Sequence, residues 1–457
     1  MKWTKKQISI LGIVAITSFM GTFLISSINI ALPAIEKTFS LNAVELSWVV
    51  TSFLLASAMF LLPVGRFGDL SGIRRLFKIG VLVFTLSSLV CGLSTSGTVL
   101  IIFRFIQGVS AAFSSVTGPA ILVSAFDPKY RGRVLGMSVA AVYLGLAFGP
   151  FAGGILTQHL GWRSIFLFAV VLGVLSTILA FVFLGKDENT IKNKSLNLIG
   201  TLFFMAGLVC MVYGSSKIPS VMGWTLLGIG IILIITFWFI EKKSSFPVID
   251  TKLFSTNRLF TYSNIAALIN YSATFAIVFL LSLYLQKIQG FSPQKAGTIL
   301  VAQPVMMAIF SPIAGRISDR VQARYLTTLG MIMCTIGLLG FSFLELSTPV
   351  WVIVVLLIWM GLGFAMFSSP NMSTIMGSVP KKMYGTASGT ASTMRVIGQI
   401  VSMTIVTLFF AVLFGNEAVK SIDNEVFLKA VNYGFISFVV LSLIGIYFSY
   451  YRGDVKK

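Results

Sequence analysis

The sequence predicts an all-α membrane protein with fourteen transmembrane helices. Of its 457 residues, 56% are hydrophobic and only 11% are charged, whereas roughly a quarter of the residues of a soluble domain are charged. Apolar stretches recur from one end of the chain to the other, each near the length of about 20 residues that crosses a bilayer. The loops between them are short apart from 241–258 and 413–429, so we expect one membrane unit without a separate soluble domain.

The apolar stretches give the helices in order. The first run is uncharged from Ile8 to Ile35, which is too long for the apolar region of a signal peptide, so we expect a retained helix. The predicted spans are 8–35, 46–65, 76–94, 98–125, 134–157, 164–184, 196–215, 222–240, 259–285, 296–315, 325–344, 349–377, 384–412 and 430–450.

An internal repeat divides these helices into two halves. The segment GRFGD, residues 65–69, recurs as GRISD at 315–319, an offset of 250 residues. A second motif recurs at an offset of 253 residues, with Gly132, Gly136 and Gly145 matched by Gly385, Gly389 and Gly398. Two unrelated motifs with nearly one offset indicate duplication. We predict six-helix halves at 1–195 and 241–457, with two helices inserted between them at 196–240.

Basic residues predict the orientation of the chain. There are 34 Lys and Arg against 14 Asp and Glu, a formal net charge of +20. They are scattered among short loops rather than gathered on one face, so we expect no nucleic-acid partner. With the N-terminus inside, 25 Lys and Arg lie on the inner side, 7 on the outer side and 2 within helices. The positive-inside rule then predicts a multi-pass protein of the cell membrane with both termini cytoplasmic.

The sequence lacks the patterns of common enzymes and metal sites. Cys91, Cys210 and Cys334 lie inside apolar segments, at spacings that fit neither a metal site nor a redox pair. There is no phosphate-binding glycine loop and no Ser/His/Asp set. We therefore predict no enzymatic activity, no cofactor and no metal, with an ion gradient as the energy source.

Two related loops carry candidate latch residues. The segment after helix two reads PVGRFGDLSGIRR, and its counterpart follows helix ten. A carboxylate beside arginines at a helix end can form charge-assisted hydrogen bonds that hold two halves in one state. The alternative is a set of solvated loop charges. The proposed latch consists of Gly65, Asp69, Arg74, Arg75, Gly315, Asp319 and Arg320.

Helix five carries small residues on one side. Small residues at four-residue spacing let helices approach closely in lipid, and a proline inside a helix adds a bend. The alternative to a role in coupling is tight packing alone. The residues are Gly145, Gly149, Pro150, Gly153 and Gly154.

These motifs resemble the major facilitator superfamily, specifically its fourteen-helix drug/proton antiporter branch. The loop signature at 63–75, the run RFIQG at 104–108, the run GLAFGPFAGG at 145–154 and the run GWR at 161–163 carry the resemblance. Leu70 and Ile73 stand where the family usually has basic residues. The resemblance implies the major facilitator fold, alternating access between two halves, and exchange of drugs for protons.

Polar, aromatic and Met residues within the helices are candidates for a substrate cavity. Arg395 lies well inside helix thirteen, and a charge at that depth usually faces a cavity or a partner. Polar residues in apolar helices are alternatively explained by interhelical hydrogen bonds, and large apolar ones by core packing. The candidates are Ser26, Asn29, Gln107, Phe113, Tyr143, Asn270, Tyr271, Gln303, Met306, Trp359, Phe367, Asn371 and Arg395.

Coupling residues are harder to assign, because Leu24 stands where this branch commonly has an Asp. All Asp and Glu fall in loops or at helix ends, so we favour Glu36, at the outer end of helix one, as proton carrier, ahead of Glu45 and Glu345. The alternative for Glu36 is a solvated charge. Arg104, in the family's buried-arginine motif, is the second coupling candidate, and its alternative is snorkelling to the surface.

We accordingly expect a monomeric transporter in the lipid bilayer that exports small amphipathic compounds in exchange for protons. The alternatives are a lipid or metabolite transporter of the same fold and a non-transporting membrane sensor. Because position 24 holds a leucine rather than a carboxylate, we expect neutral, zwitterionic and delocalised monocationic substrates to be preferred over dications. Burying an unpaired charge is costly. Leu24→Asp is expected to shift selectivity towards cations.

Overall fold

The computed structural model describes residues 3–127, 130–185, 197–244, 251–318, 320–380, 383–415 and 417–453, with the side chains at 66–71, 131–133 and 384–385 left out. Within these ranges the chain is helical. The helices are α1 Lys5–Phe39, α2 Ala43–Ser71, α3 Ile73–Gly92, α4 Gly97–Ala125, α5 Arg131–Leu160, α6 Arg163–Phe183, α7 Leu198–Ser215, α8 Val221–Lys243, α9 Thr251–Thr256, α10 Arg258–Thr274, α11 Ile277–Lys287, α12 Pro293–Leu300, α13 Ala302–Ser318, α14 Ala323–Phe341, α15 Val350–Gly377, α16 Tyr384–Phe414 and α17 Asn424–Tyr451.

Fourteen spans in the described part of the chain are long and apolar enough to cross a membrane, as the sequence predicts. Helices α10 and α11 together form the ninth span, and α12 and α13 form the tenth. The short helix α9 lies in the segment expected to be a loop, and α17 begins at Asn424 rather than near residue 430.

Each interrupted span has a feature at its break that accounts for it. After α10, the backbone N–H of Ala276 donates to the side-chain hydroxyl of Ser402 on α16, at 3.1 Å, so a neighbouring helix satisfies a backbone group at the break. Between α12 and α13, Pro304 has no N–H to donate to the carbonyl of Leu300, which weakens helix continuity one turn before it.

Side chains stabilise several helix starts. The Thr4 hydroxyl accepts from the backbone N–H of Gln7, whose side chain accepts from Thr4 in return. The hydroxyls of Ser96 and Ser292 cap α4 and α12 in the same way. Such caps satisfy backbone N–H groups that have no partner within the helix. Leaving such a group without a hydrogen bond near a membrane is costly.

The helices form two bundles with a pair of helices beside them. Helix α1 packs on α5 and α6, and α2 on α4; the corresponding contacts in the second bundle join α10 to α16 and α17, and α13 to α15. Helices α7 and α8 pack on each other, and α7 contacts α2 and α16. The bundles meet through α2 with α16, α5 with α12 and α13, and α1 with α11.

Because the number of spans is even, the start of α1 and the end of α17 lie on the same side of the bundle, which we call the terminal side. The opposite one, where α1 ends and α2 begins, is the far side. Large apolar side chains face outward between the two sides, among them Val171 at 69%, Val182 at 68% and Ile199 at 64% exposure. Lipid tails would solvate such a surface at no cost in hydrogen bonds.

Candidate functional site

A cavity of about 940 Å³ lies between the two bundles. It is lined by the first halves of α1, α3, α5 and α16, by the later parts of α2, α4 and α15, and by α10 and α13. All of these segments lie towards the terminal side, and the wall extends as far as Val14, Gly136 and Met376. The cavity therefore occupies the terminal-side half of the molecule.

Five of the predicted cavity residues lie on its wall. The Tyr271 ring makes an edge contact with Phe364, with the ring centroids 5.4 Å apart, and the Tyr143 hydroxyl lies 3.4 Å from that of Ser368 across the bundle interface. The predicted residues on the wall are Tyr143, Tyr271, Phe367, Asn371 and Arg395. Aromatic rings with nearby hydroxyl groups can bind apolar ligands and orient a polar end.

The other predicted cavity residues lie away from the wall. Three polar ones bond to helices instead: Ser26 donates to the Leu146 carbonyl at 3.1 Å, Asn29 to the Ile25 carbonyl at 3.2 Å, and Gln107 to the Ser88 hydroxyl at 2.6 Å. The bonds of Ser26 and Gln107 join neighbouring helices, as the alternative explanation for polar residues in apolar helices has it, whereas the bond of Asn29 lies within α1.

The remaining ones are placed by packing. Trp359 is on the surface and donates to the Met333 carbonyl at 2.8 Å. Phe113 and Met306 lie against glycines of neighbouring helices, Gly80 and Gly361. Asn270 and Gln303 are buried off the cavity wall.

Arg395 is the one charged side chain among the described residues of the wall. It lies on α16 in a stripe of polar residues that sequence reasoning missed, Ser388, Ser392 and Gln399. Their spacing from Arg395 places all four on one helix face, and this periodicity around a membrane-embedded arginine was the available signal.

The far side of the bundle interface is closed by the small residues of α5. A Cβ added at Gly154 would lie 2.6 Å from the Pro293 carbonyl of α12, and one added at Gly297 would collide with the Pro150 carbonyl. On its other flank, α5 packs on α1, since a Cβ at Gly149 or at Gly153 would contact that helix at 2.6 or 2.5 Å. A Cβ added at Gly145 would likewise collide with α1, at the Phe19 carbonyl and the Thr22 side chain.

Hydrogen bonds join the bundles at the same far side. A Glu36 carboxylate oxygen accepts from the Lys420 backbone N–H at 2.7 Å, and the Ala43 N–H donates to the Glu417 carbonyl at 2.9 Å. The Ser282 hydroxyl donates to the Asn29 carbonyl at 2.6 Å. With α5 against α12, these contacts show a conformation closed at the far side, with its cavity on the terminal side.

Glu36 is the coupling candidate that the structure places at a bundle interface. It is buried, with 6% of its surface exposed, and Lys287 of α11 lies close enough to interact with its charge. Lys287 in turn donates to the Ile422 carbonyl at 2.8 Å. A solvated helix-end charge does not describe this environment, although the proton-carrying role itself remains a prediction.

Arg104 is buried inside the first bundle rather than at the surface. Its Nε donates to the Val49 carbonyl at 3.0 Å, its guanidinium donates to Gln107, and its Cζ lies 4.4 Å from the centre of the Phe53 ring. The network joins α2, α3 and α4 through Ser88. Arg104 therefore holds three helices together and does not snorkel.

Leu24 lies in the hydrophobic core, not on the cavity wall where a carboxylate would contact cargo. It is fully buried in the hydrophobic core, while its neighbour Ile25 lines the cavity. An aspartate at Leu24 would thus lack direct access to the cavity in this conformation. Ile25 is the position in this segment of α1 from which a carboxylate would reach a bound ligand.

The proposed latch is only partly covered by the structure. The Asp69 side chain and residue Asp319 lie outside the described part of the molecule, so the latch remains a prediction. Gly315 lies close to α15, where an added Cβ would be 3.0 Å from the Ser369 hydroxyl. On the same side lies Arg452, which no sequence pattern singles out; it is 1% exposed and donates to Asn371 at 2.7 Å.

The remaining latch positions lie at the ends of helices. Gly65 is near the end of α2, and Arg74 and Arg75 are in the first turn of α3. Arg320 lies in the short turn before α14. All of these positions are on the terminal side, where the latch was expected.

The chain belongs to the major facilitator superfamily, whose family model matches residues 13–403. It is 33% identical over 410 residues to the riboflavin transporter RibZ of Clostridioides difficile (strain 630), covering 89% of each chain. It is 32% identical to the multidrug resistance protein Stp of Mycobacterium tuberculosis (strain ATCC 25618 / H37Rv), covering 83% of this chain and 71% of Stp. The methylenomycin A resistance protein of Bacillus subtilis (strain 168) is 30% identical, with coverage of 87% and 86%.

Solved structures share this fold. A bacterial homologue of the human lysosomal transporter Spinster, in an inward-facing and unoccupied conformation, superimposes with a TM-score of 0.70 at 14% identity, covering 99% of this chain and 98% of the homologue. A D-xylose–proton symporter gives 0.69 at 12% identity, covering 98% of each chain. The predicted major facilitator fold is confirmed, and the protein is an integral membrane transporter rather than an enzyme.

Proposed function

We propose that this transporter exports small amphipathic compounds across the cell membrane by alternating access, in exchange for protons and as a monomer. The observation that carries the proposal is the cavity of about 940 Å³ between the bundles. Its volume suits drug-sized ligands, whose sites span about 300–1,000 Å³. Similarity to the resistance protein Stp supports export of such compounds.

The proposed cycle starts from the conformation described above. With both termini in the cytoplasm, the cavity faces the cytoplasm and binds cargo there. Separation of α5 from α12 then opens the far side. A proton that reaches Glu36 from outside removes the negative charge that accepts from Lys420 and attracts Lys287, which favours this opening because charge-assisted hydrogen bonds are the stronger ones. After the cargo has left and the far side has closed again, release of the proton to the cytoplasm restores the charged contact and completes the exchange.

A second candidate function is transport of a flavin-like metabolite. Similarity to RibZ over 89% of the chain favours it, and the aromatic rings of Tyr271 and Phe364 on the wall can stack on a planar ring system. The two candidates share the same cavity and differ in cargo and direction.

Transport by purified protein in proteoliposomes tests both. Ethidium, a delocalised monocation, naphthalene-1-sulfonate, an amphipathic anion, and riboflavin are supplied separately, with and without an imposed pH gradient. Export driven by protons predicts that the gradient accelerates movement of at least one of the two amphipathic ions against the proton flow, and that collapsing it with an ionophore abolishes the effect. Movement of riboflavin alone would replace the export proposal with the metabolite one, and movement of none of the three would contradict both.

A further inference from the structure

The polar stripe on α16 gives the cavity wall a positive charge. Ser388, Ser392, Arg395 and Gln399 face the cavity at spacings of four, three and four residues, which keeps them on one helix face. No Asp, Glu or Lys is found among the described wall residues. The remainder of the wall consists largely of apolar side chains and hydroxyl groups.

Arg395 has no ion pair or hydrogen bond with any other described residue. It is half-buried and lies near enough to the Tyr271 hydroxyl for an electrostatic interaction. An arginine inside a membrane protein with no carboxylate beside it keeps its five N–H donors available for a ligand. Its fork of donors fits a carboxylate with two parallel hydrogen bonds.

We propose that Arg395 recognises a negative charge on the cargo, so that the preferred substrates are amphipathic carboxylic acids. The carboxylate would bind the guanidinium, with Ser392 and Gln399 beside it, and the apolar body would lie against Tyr271 and Phe364. The inference rests on the proposed function of the cavity, and it narrows the expected substrate class, which had included delocalised monocations.

The charge of the terminal side as a whole supports the same class. By sequence, the loops and termini assigned to that side carry 25 Lys and Arg against 8 Asp and Glu. A surface potential of one sign raises the local concentration of oppositely charged ligands. Anions are therefore favoured both on this side and at Arg395, whereas a cation meets repulsion at both.

Binding of a matched pair of probes tests the proposal. Tritiated naphthalene-1-acetate and naphthalene-1-acetamide have nearly the same shape and differ in charge. Purified protein in nanodiscs at pH 7.5 is expected to bind the acid at least tenfold more tightly than the amide. Arg395→Gln should remove this preference and leave amide binding within about twofold, while Arg395→Lys should retain part of it.

A second variant covers the case in which Arg395→Gln fails to fold. Gln399→Glu places a carboxylate one turn from Arg395, where it can pair with the guanidinium, and should lower acid binding about tenfold. Gly12→Ala is the neutral control, because Gly12 lies off the cavity wall and an added Cβ there meets nothing within 4 Å. Equal binding of acid and amide by the unmodified protein, or a preference that survives in both charge variants, would overturn the assignment of Arg395.

Failure of this inference can be told apart from failure of the proposed function. A protein that moves ethidium in proteoliposomes but shows no preference for the acid contradicts only the substrate class. A protein that moves no amphipathic compound contradicts the export proposal itself.

Discussion

The carboxylate of Glu36 accepts a hydrogen bond from the backbone N–H of Lys420 at 2.7 Å, which ties α1 of the first bundle to the loop before the last helix of the second. The charges around Glu36 come from the far-side end of the second bundle. Lys287 interacts with Glu36 and also with Asp423. A protonatable group is thus placed where the two halves must separate.

Glu36→Gln should uncouple transport from the pH gradient. The amide keeps the shape and an acceptor oxygen but removes the charge, so the far side opens without proton binding. We expect the pH dependence of efflux in proteoliposomes to flatten. Glu45→Gln is the matched control, because Glu45 is an exposed far-side carboxylate that bonds within its own helix start, to the Asn42 N–H. An unaltered pH profile in Glu36→Gln would remove Glu36 from the coupling mechanism.

Gly297→Ala should prevent full closure of the far side. The added methyl group collides with the Pro150 carbonyl, and overpacking of this kind costs about 1–3 kcal/mol, a shift of roughly 5- to 150-fold in the conformational equilibrium. We expect slower efflux and faster thiol labelling of a far-side cysteine. Gly12→Ala is the control, since its Cβ meets nothing within 4 Å. Efflux and labelling equal to those of the control would contradict the closure by α5 and α12.

Leu24→Asp and Ile25→Asp should have different effects. The first places a carboxylate in the fully buried core, at a cost of several kcal/mol for an unpaired charge, so we now expect low membrane yield rather than altered selectivity. The second places it on the cavity wall and should favour cations. Efflux of matched monovalent and divalent cationic dyes measures this. A selectivity change in Leu24→Asp but not in Ile25→Asp would contradict the assignment of the wall.

Arg104→Ala should destabilise the first bundle. It leaves the Val49 carbonyl and the Gln107 side chain without their donor, and each such loss costs about 1–3 kcal/mol. We expect a lower Tm in detergent. Arg163→Ala is the control, because Arg163 is less buried and donates to the Ser94 carbonyl at 3.0 Å. An unchanged Tm with lost transport would instead assign Arg104 to coupling.

The sequence is sufficient to predict the spans but not every feature within them. Apolar length alone predicts the fourteen crossings. The break after α10 depends on a bond between Ala276 and Ser402, which are 126 residues apart, so no local pattern contains it. The same holds for Asn29 and Asn371: polarity shows that each needs a partner, but only the packing shows that Asn371 reaches the cavity while Asn29 bonds within α1.

The small residues of α5 and the carboxylate of Glu36 could be predicted only in part for a related reason. Glycine spacing in α5 predicts close helix contact, and the structure supplies its partners, α1 and α12. The sequence alone does not separate Glu36 from the other outer carboxylates, because it does not show that the loop containing Lys420 folds over Glu36.

Locking the far side tests alternating access most directly. Ala43 and Glu417 belong to different halves, and their backbones are hydrogen bonded at 2.9 Å, so Ala43→Cys with Glu417→Cys should allow a disulfide, in a background with Cys210→Ala. We predict that oxidation abolishes transport in proteoliposomes, that reduction restores it, and that each single cysteine variant is unaffected by either treatment. Undiminished transport by fully cross-linked protein would contradict the account.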